Sequence, residues 1–475
     1  MKFNLASKNL RLIFALQFLI FSFDSFAIND LRTFSPVSVY DSSYVINPEN
    51  LRKYILEGNN NVLMGLNSIY LSKDQVNIAR ANLLPSLDLR TLAGPSGFNL
   101  STISFLFPFL APSNWFNLSQ SSLLLEAEKD SYFVIQLNVY ASALGLYQSM
   151  VGDLALREVY NQNYLVLKEL AEVIEAQARE IGATNSQDVL EAKAQVSLAL
   201  NKLKGIDLFL VKEKAALRKA LGMEASLEKM ITIEMREMPQ SPYEIIPMKM
   251  ALDAAQMLSP EKRQLEHLIM AAEKGKWSTM FAFMGSGGGS LSASSGALGG
   301  TPSFENLSGN YSFRLTFATV PSVQLSNDNI AQLRLRQDEL YLEQRATVEA
   351  TVGAIKIAKE QIEQAKDAYD KFTEYYEIEY QRYFWGASEL IDLLQAQSNR
   401  VQAMALVVQN KVNLNTLRVN LQRVTMSEEF LKVKGCNFNA AAAPRHSTGF
   451  FDWFREIFDS GVDKTNINAI CKNNI

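Results

Sequence analysis

Two copies of one short phrase limit what this chain can fold into. Gly182-Ala183-Thr184 runs on to Asp188-Val189-Leu190-Glu191-Ala192, and Gly386-Ala387-Ser388 runs on to Asp392-Leu393-Leu394-Gln395-Ala396. Each copy closes one long stretch of helical periodicity and opens another. A glycine in the left-handed conformation ends a helix, and Ser186 or Ser388 is placed to accept backbone N–H bonds at the start of the next. The phrase therefore predicts a helical hairpin, written twice. The two glycines set the copies about 200 residues apart, which is the spacing of a duplicated unit.

The arms of these hairpins are long. Residues 117–181 contain no proline, and Leu137, Tyr140, Leu144, Tyr147, Val151 and Leu154 keep a three-four spacing. At 1.5 Å per residue such a helix extends about 100 Å. The return arm, 186–221, carries Val189, Ala192, Val196, Ala199, Leu203, Ile206 and Leu210 at the same spacing. A repeat sustained this long predicts coiled-coil packing against neighbours. The second unit repeats the design over 327–385 and 388–424. In each hairpin one arm is much shorter than the other, so something else has to continue it; 223–257 and the C-terminal tail are the candidates.

The helices are interrupted by segments of a different period. Residues 51–84 suit one helix that stops before Pro85. Ser86-Leu87-Asp88-Leu89-Arg90 then alternates, 93–97 is turn chemistry, and Ile103, Phe105, Phe107 and Phe109 fall on one face of a second strand. In the second unit Trp277, Thr279, Phe281 and Phe283 alternate with Ser278, Met280, Ala282 and Met284. A Gly/Ser-rich stretch over 285–302 precedes Tyr311-Ser312-Phe313-Arg314-Leu315-Thr316-Phe317, whose two faces are aromatic and polar. That alternation is the transmembrane β-strand pattern. Four strands cannot close a barrel, and an open edge in lipid leaves backbone groups unpaired at several kcal/mol each. Either the strands are soluble or several chains pool them.

Export is written at the N-terminus. Lys2, Lys8 and Arg11 precede an apolar run over 12–23, and Ser25-Phe26-Ala27 supplies small residues for cleavage. The run is about 12 residues, whereas a helix needs about 20 to span a bilayer.

Composition removes other classes of function. A formal net charge of −4 argues against a nucleic-acid binder. Two histidines, His267 and His446, leave little for histidine-based metal chemistry. No nucleophile and base stand together in the sequence, so neither catalysis nor a cofactor is expected. The methionines of 223–257 suit either adaptable packing or a soft metal, and packing is weighted well above metal. The Gly/Ser stretch lacks the Gly-Lys-Ser/Thr ending of a phosphate loop. Cys436 and Cys471 are either two free thiols or one disulfide, whose loop of about 35 residues would contribute about 3 to 4 kcal/mol.

In this order the features resemble the TolC-like outer-membrane efflux proteins, over nearly the whole mature chain. The marks are the signal peptide, the duplicated helix, strand pair, long helix and return helix, the Leu83-Leu84-Pro85-Ser86-Leu87 lead into the first strand, and both glycine-to-aspartate turns. The resemblance implies a mainly α fold with a small β part. Duplicated helical hairpins would form a trimeric α-barrel tunnel, and four strands per chain would contribute to a shared 12-stranded barrel. The parts would be a signal peptide (1–27), a first repeat (28–222, strand pair about 86–109), a linker (223–259), a second repeat (260–425, strand pair about 276–318) and a C-terminal periplasmic tail (426–475). The expected function is a passive exit duct of a tripartite efflux pump or type I secretion system. Its partners would be two further copies, a periplasmic adaptor, an inner-membrane pump or ABC exporter, and outer-membrane lipid, with no nucleic acid. The competing reading is an exported periplasmic coiled-coil scaffold with soluble strand pairs.

Residue roles follow the matching positions. Gly182 and Gly386, with Arg179 and Arg382 upstream, correspond to the adaptor contact at the tip; the Arg382-to-Gly386 spacing matches, and Arg179 is one residue closer to its glycine. Asp392 and Gln395 correspond to the pore constriction, where glutamine replaces a second acidic ring found in some relatives. Gln187, Asp188, Tyr383 and Ser388 correspond to positions that tie neighbouring hairpins shut, with Ser388 standing where some relatives carry a basic residue. Asp188 and Asp392 also suit a helix N-terminus, at about 0.3 to 1 kcal/mol each.

Cleavage is expected after Ala27. Intact-mass measurement of the exported protein checks this, and retention of residues 1–27 refutes it.

Overall fold

The computed structural model describes residues 44–84, 111–180, 182, 186–223, 231–236, 238–282 and 319–433. The expected signal peptide, the strand pair at 86–109, the strand at 311–317 and both cysteines lie outside them. The order of elements is β1 (Tyr44–Ile46), α1 (Pro48–Gly58), α2 (Asn60–Ala81), α3 (Pro112–Glu180), α4 (Gln187–Ala220), β2 (Ile231–Ile233), a 3-10 turn (Pro242–Glu244), α5 (Met248–Leu258), α6 (Pro260–Phe281), α7 (Thr319–Phe384), α8 (Leu390–Val424) and α9 (Glu428–Leu431). Among the described residues no helix is long and apolar enough to cross a membrane.

Two helical hairpins, α3–α4 and α7–α8, make the frame. Their arms are as unequal as the periodicity implies: 69 residues against 34, and 66 against 35. The long arm α3 extends about 100 Å. Its apolar row is the one read from spacing, since Leu137, Tyr140, Leu144 and Tyr147 are buried. So are Val189, Ala192, Ala199, Leu203 and Leu210 on α4. The main core gathers these midpoint residues of α3 with Ile55, Leu66, Leu217 and Phe430, and a second core lies at the tip.

The short arms are continued by α2 and α6, not by 223–257; the C-terminal tail beyond 433 lies outside the described residues. At the end of α4 the amides of Gly222 and Met223 bond back to the carbonyls of Lys219 and Arg218, at 3.1 and 2.9 Å. This closes the helix around a Gly222 φ of 64°. A Cβ on Gly222 would stand 1.8 Å from the Gly58 carbonyl oxygen. Asn59 sits at the same junction. Its Oδ1 accepts from Asn61 N and Val62 N, and its Nδ2 donates to Ala220 O at 2.6 Å. One side chain thus caps the start of α2 and the end of α4, and α2 carries on where α4 stops. In the second unit Arg423, at the end of α8, bonds Glu261 at the start of α6.

This junction corrects the single helix expected over 51–84. The chain breaks at Asn59 and α2 ends at Ala81. The period is helical on both sides of the break, and Asn59 fixes where it falls by capping α2 and bonding the end of α4.

A second correction concerns the strand expected from Trp277. Residues 277–281 are the last turn of α6. Trp277 and Phe281 are four apart on one helix face, stacked at 6.2 Å, and both rings stack on Phe116 of α3 at 6.3 and 5.6 Å. Ser278 is buried and donates to Ser113 O at 3.2 Å. Aromatics at i and i+4 also sit at even spacing, so five residues of alternation fit either period; α3 decides for helix.

Around the midpoint, β1 pairs in parallel with β2, Tyr44 opposite Ile231. The fully buried Tyr147 of α3 donates its hydroxyl to Glu234 O and accepts from Arg236 N. Glu244 is a buried carboxylate held by Lys359 of α7 at 2.7 Å and Arg418 of α8 at 2.9 Å. Burial alone would raise its pKa; Lys359, the Ser241 amide and Arg418 outweigh it and hold the carboxyl below its ordinary range.

Gly222→Ala is expected to cost at least about 2 kcal/mol, from positive φ and the clash with Gly58. Gly353→Ala, on α7 with open space around its Cβ, is expected to gain about 0.5 to 1 kcal/mol. Denaturant unfolding of the two variants checks the pair, and equal effects would refute the close junction.

Candidate functional site: the two tip turns

Both duplicated turns fold as their glycines require. Gly182 and Gly386 have φ of 74° and 73°. In the second turn Gly386 N bonds Tyr383 O at 3.0 Å and Ala387 N bonds Arg382 O at 2.8 Å. These are the paired bonds of a glycine-terminated helix end, and they satisfy two carbonyls that would otherwise be left open. In the first turn Gly182 N bonds Arg179 O at 3.2 Å. The remainder of that turn, residues 181 and 183–185, lies outside the described residues.

The serines do not cap as the sequence suggests. Ser186 is the N-cap of α4 without a side-chain bond, and the N-cap of α8 is Glu389 rather than Ser388. Ser388 has other work. Its hydroxyl lies 2.7 Å from Glu379 Oε2 and 3.4 Å from Asp392 Oδ2. Arg382 Nη1 donates to Glu379 Oε1 at 2.6 Å and Nη2 donates to Ala387 O at 3.3 Å. The buried Glu379 carboxylate therefore ties the end of α7 to the start of the return path, one oxygen to each partner. Sequence reasoning missed Glu379; the available signal was its position three residues before Arg382, on one helix face.

The first turn is fastened differently. Glu175 takes Arg179, one turn along α3, at 2.8 Å and Lys193 of α4 at 3.0 Å, and the second of these bridges crosses the hairpin. Hydrogen bonds from Lys193 and Arg179 hold its carboxyl below the ordinary range. Exposed bridges of this kind contribute little to stability.

Both tips share one core. Leu170 and Ile174 of α3, Val189 and Ala192 of α4, Tyr376 of α7 and Leu390, Leu393 and Ala396 of α8 are buried together, and Tyr383 packs on their edge. Gln397 of α8 donates to Asn163 of α3 at 2.8 Å. Tyr383 comes near enough to Asp188 for the two to interact: burial first, and then the Asp188 charge, raise the phenol pKa. Gln187 and Asp188 are themselves exposed.

Asp392 and Gln395 of α8 are exposed although Leu393 and Ala396 beside them are buried, and Gln395 donates to Asn399 at 2.9 Å. The second turn also carries aromatics that spacing alone did not single out. Tyr380 and Phe384 lie 4.7 Å apart, and Arg400 of α8 covers the Tyr376 ring at 4.1 Å. Trp385, next to Gly386, is 86% exposed, which puts a large apolar ring in solvent at the outermost point of the hairpin.

Arg382→Met is expected to destabilise the second hairpin by about 1 to 2 kcal/mol, because Glu379 keeps its buried charge without a cation. Glu379→Gln in the same chain is expected to restore most of the loss. Hydrogen exchange of the amides flanking Gly386 reads the effect, and additive losses in the double variant would show that the two side chains act independently.

Solved outer-membrane channels share this architecture. The Campylobacter jejuni CmeC outer membrane channel matches with a TM-score of 0.63 over 83% of this chain and 92% of that one, at 15% identity. The outer membrane protein VceC of Vibrio cholerae matches with a TM-score of 0.60, over 80% and 95%, at 14% identity. The open state of the Neisseria gonorrhoeae MtrE outer membrane channel gives 0.59, over 80% and 88%, at 13% identity. No protein-family model and no curated sequence matches the chain. Two helical hairpins with a shared tip, and agreement over four-fifths of the chain, give this protein the fold of the TolC-like outer-membrane efflux channels.

Proposed function

We propose that this protein is the outer-membrane exit duct of a tripartite efflux or type I secretion system, a passive channel with no catalytic role. The observation that carries the reading is the paired tip: two helical hairpins of matching arm lengths end in glycine turns over one core, in a fold shared with outer-membrane channels. What one chain leaves uncovered supports assembly with further copies, and we read that assembly as a homotrimer. Leu190, Leu198, Leu208 and Phe209 of α4 are exposed, as are Leu325, Leu335 and Leu342 of α7. Rows of apolar side chains along long helices call for neighbouring helices. Three chains also answer the open edges of the expected strands, by pooling four from each into a 12-stranded barrel.

In that assembly the tip is the gate. Gly182 and Gly386, with Arg179, Arg382 and the exposed Trp385, face the periplasmic adaptor. Tyr383 and Asp188 sit where neighbouring hairpins close on one another. Asp392 repeats three times around the axis, with Gln395 adding no charge below it. Two carboxylates about 6 Å apart repel by about 0.7 kcal/mol in bulk water and about 3 kcal/mol at an effective dielectric of 20. A closed gate therefore holds a focused negative ring. The Neisseria gonorrhoeae channel has been solved in an open state, and opening by adaptor and pump is the corresponding step here.

Two measurements test the reading. Gly386→Val is expected to abolish export while the trimer still assembles, because a β-branched residue disfavours positive φ where the adaptor approaches. Normal export at normal expression would remove the docking role. In planar bilayers the purified protein should conduct with a preference for cations and be blocked by multivalent cations from the periplasmic side. Asp392→Asn should remove most of that block, and absence of any conductance would overturn the duct itself.

A further inference from the structure

The end of the molecule opposite the tips carries a cavity of about 650 Å³ between α2, α3 and α6. Its chemistry is two-sided. Val76 of α2, Leu118 and Leu123 of α3 and Met270 of α6 give it an apolar floor. Arg80, Lys274, Ser119 and Ser122 stand around it. The one carboxylate in the lining, Glu273, is answered by Arg334 of α7 at 3.2 Å. Arg80 and Lys274 have no ion-pair partner among the described residues, so the cavity offers two cations beside an apolar wall.

Its position adds to this. α2 ends at Ala81 and α3 begins at Pro112, so the segment read from sequence as a membrane strand pair leaves and returns here. Trp115 lines the cavity and Trp277 lies close by on α6; both are nearly half exposed. Tryptophan is enriched where a membrane protein crosses the boundary between lipid and water. Basic side chains at that boundary attract anionic headgroups.

We propose that this cavity binds an acidic phospholipid, with its phosphate between Arg80 and Lys274 and the start of an acyl chain along Val76, Leu118 and Met270. The volume falls within the range of small-molecule sites, about 300 to 1,000 Å³, and suits a headgroup with part of a chain. A soluble anion would use only the rim and leave the floor in water. The inference rests on the outer-membrane reading, but the two fail separately: loss of conductance refutes the duct, whereas a conducting trimer that binds no lipid here refutes only the site.

Native mass spectrometry of the full-length protein, delipidated in nonionic detergent, tests it. Phosphatidylglycerol added back should bind at one per chain, more tightly than phosphatidylcholine of the same acyl composition, and inorganic phosphate should not compete. Each basic side chain near an anionic headgroup is worth about fivefold, so Arg80→Gln with Lys274→Gln should weaken retention about thirtyfold. Leu118→Gln should weaken both lipids while leaving the charge preference. Unchanged binding in the double variant, equal binding of the two lipids, or displacement by phosphate would each overturn the proposal. So would protection of Ser122→Cys from maleimide in the delipidated trimer but not in dissociated chains, which would show that a second copy fills the cavity.

Discussion

The 69-residue helix α3 has no core of its own, and the structure depends on what covers it. A helix draws most of its stability from burial of one apolar face rather than from propensity. On α3 that face changes partner along its length: α4 and α8 towards the tip, α1 around the midpoint, and α2 and α6 from there to the far end. Ordinary-length helices can follow so long a partner only if they abut end to end, and abutment puts helix ends, with their open amides and carbonyls, inside the molecule. Asn59 and the Gly58–Gly222 contact resolve that problem for α4 and α2. Arg423 and Glu261 resolve it for α8 and α6 with charge instead of a shared amide.

The two tips share a turn phrase but are fastened by different contacts. The first turn is held by exposed bridges on Glu175, which water and salt weaken. The second is held by a buried carboxylate with a separate partner for each oxygen. A turn of the second kind keeps its shape when a partner approaches, because opening it would leave Glu379 buried and unpaired. The exposed Trp385 is thereby presented on a fixed support. The first hairpin brings Asp188 towards Tyr383 of the second.

The midpoint adds a constraint that spacing gave no hint of. Three residues of β1 and three of β2, far apart in sequence, pair alongside α3 and are fixed there by one tyrosine hydroxyl. Glu244 in the turn that follows joins α7 to α8 through Lys359 and Arg418. These contacts make the linker between repeats a brace rather than an independent domain. Met238 is buried in the main core, whereas Met235 and Met257 are exposed.

What could be read from sequence was whatever depends on local period and local backbone. The apolar rows of α3 and α4, the unequal arms, and both positive-φ glycines followed from three-four spacing and from the steric freedom of glycine alone. Where a residue satisfies two local rules, sequence could not choose. Trp277 and Phe281 fit alternation and i,i+4 spacing alike until Phe116 selected the helix, and Ser388 could have capped α8 until Glu379 claimed its hydroxyl. The pairing of β1 with β2 and the cavity at Arg80 and Lys274 belong wholly to tertiary structure. Each depends on groups brought together from distant parts of the chain, and no local preference records which distant group will arrive.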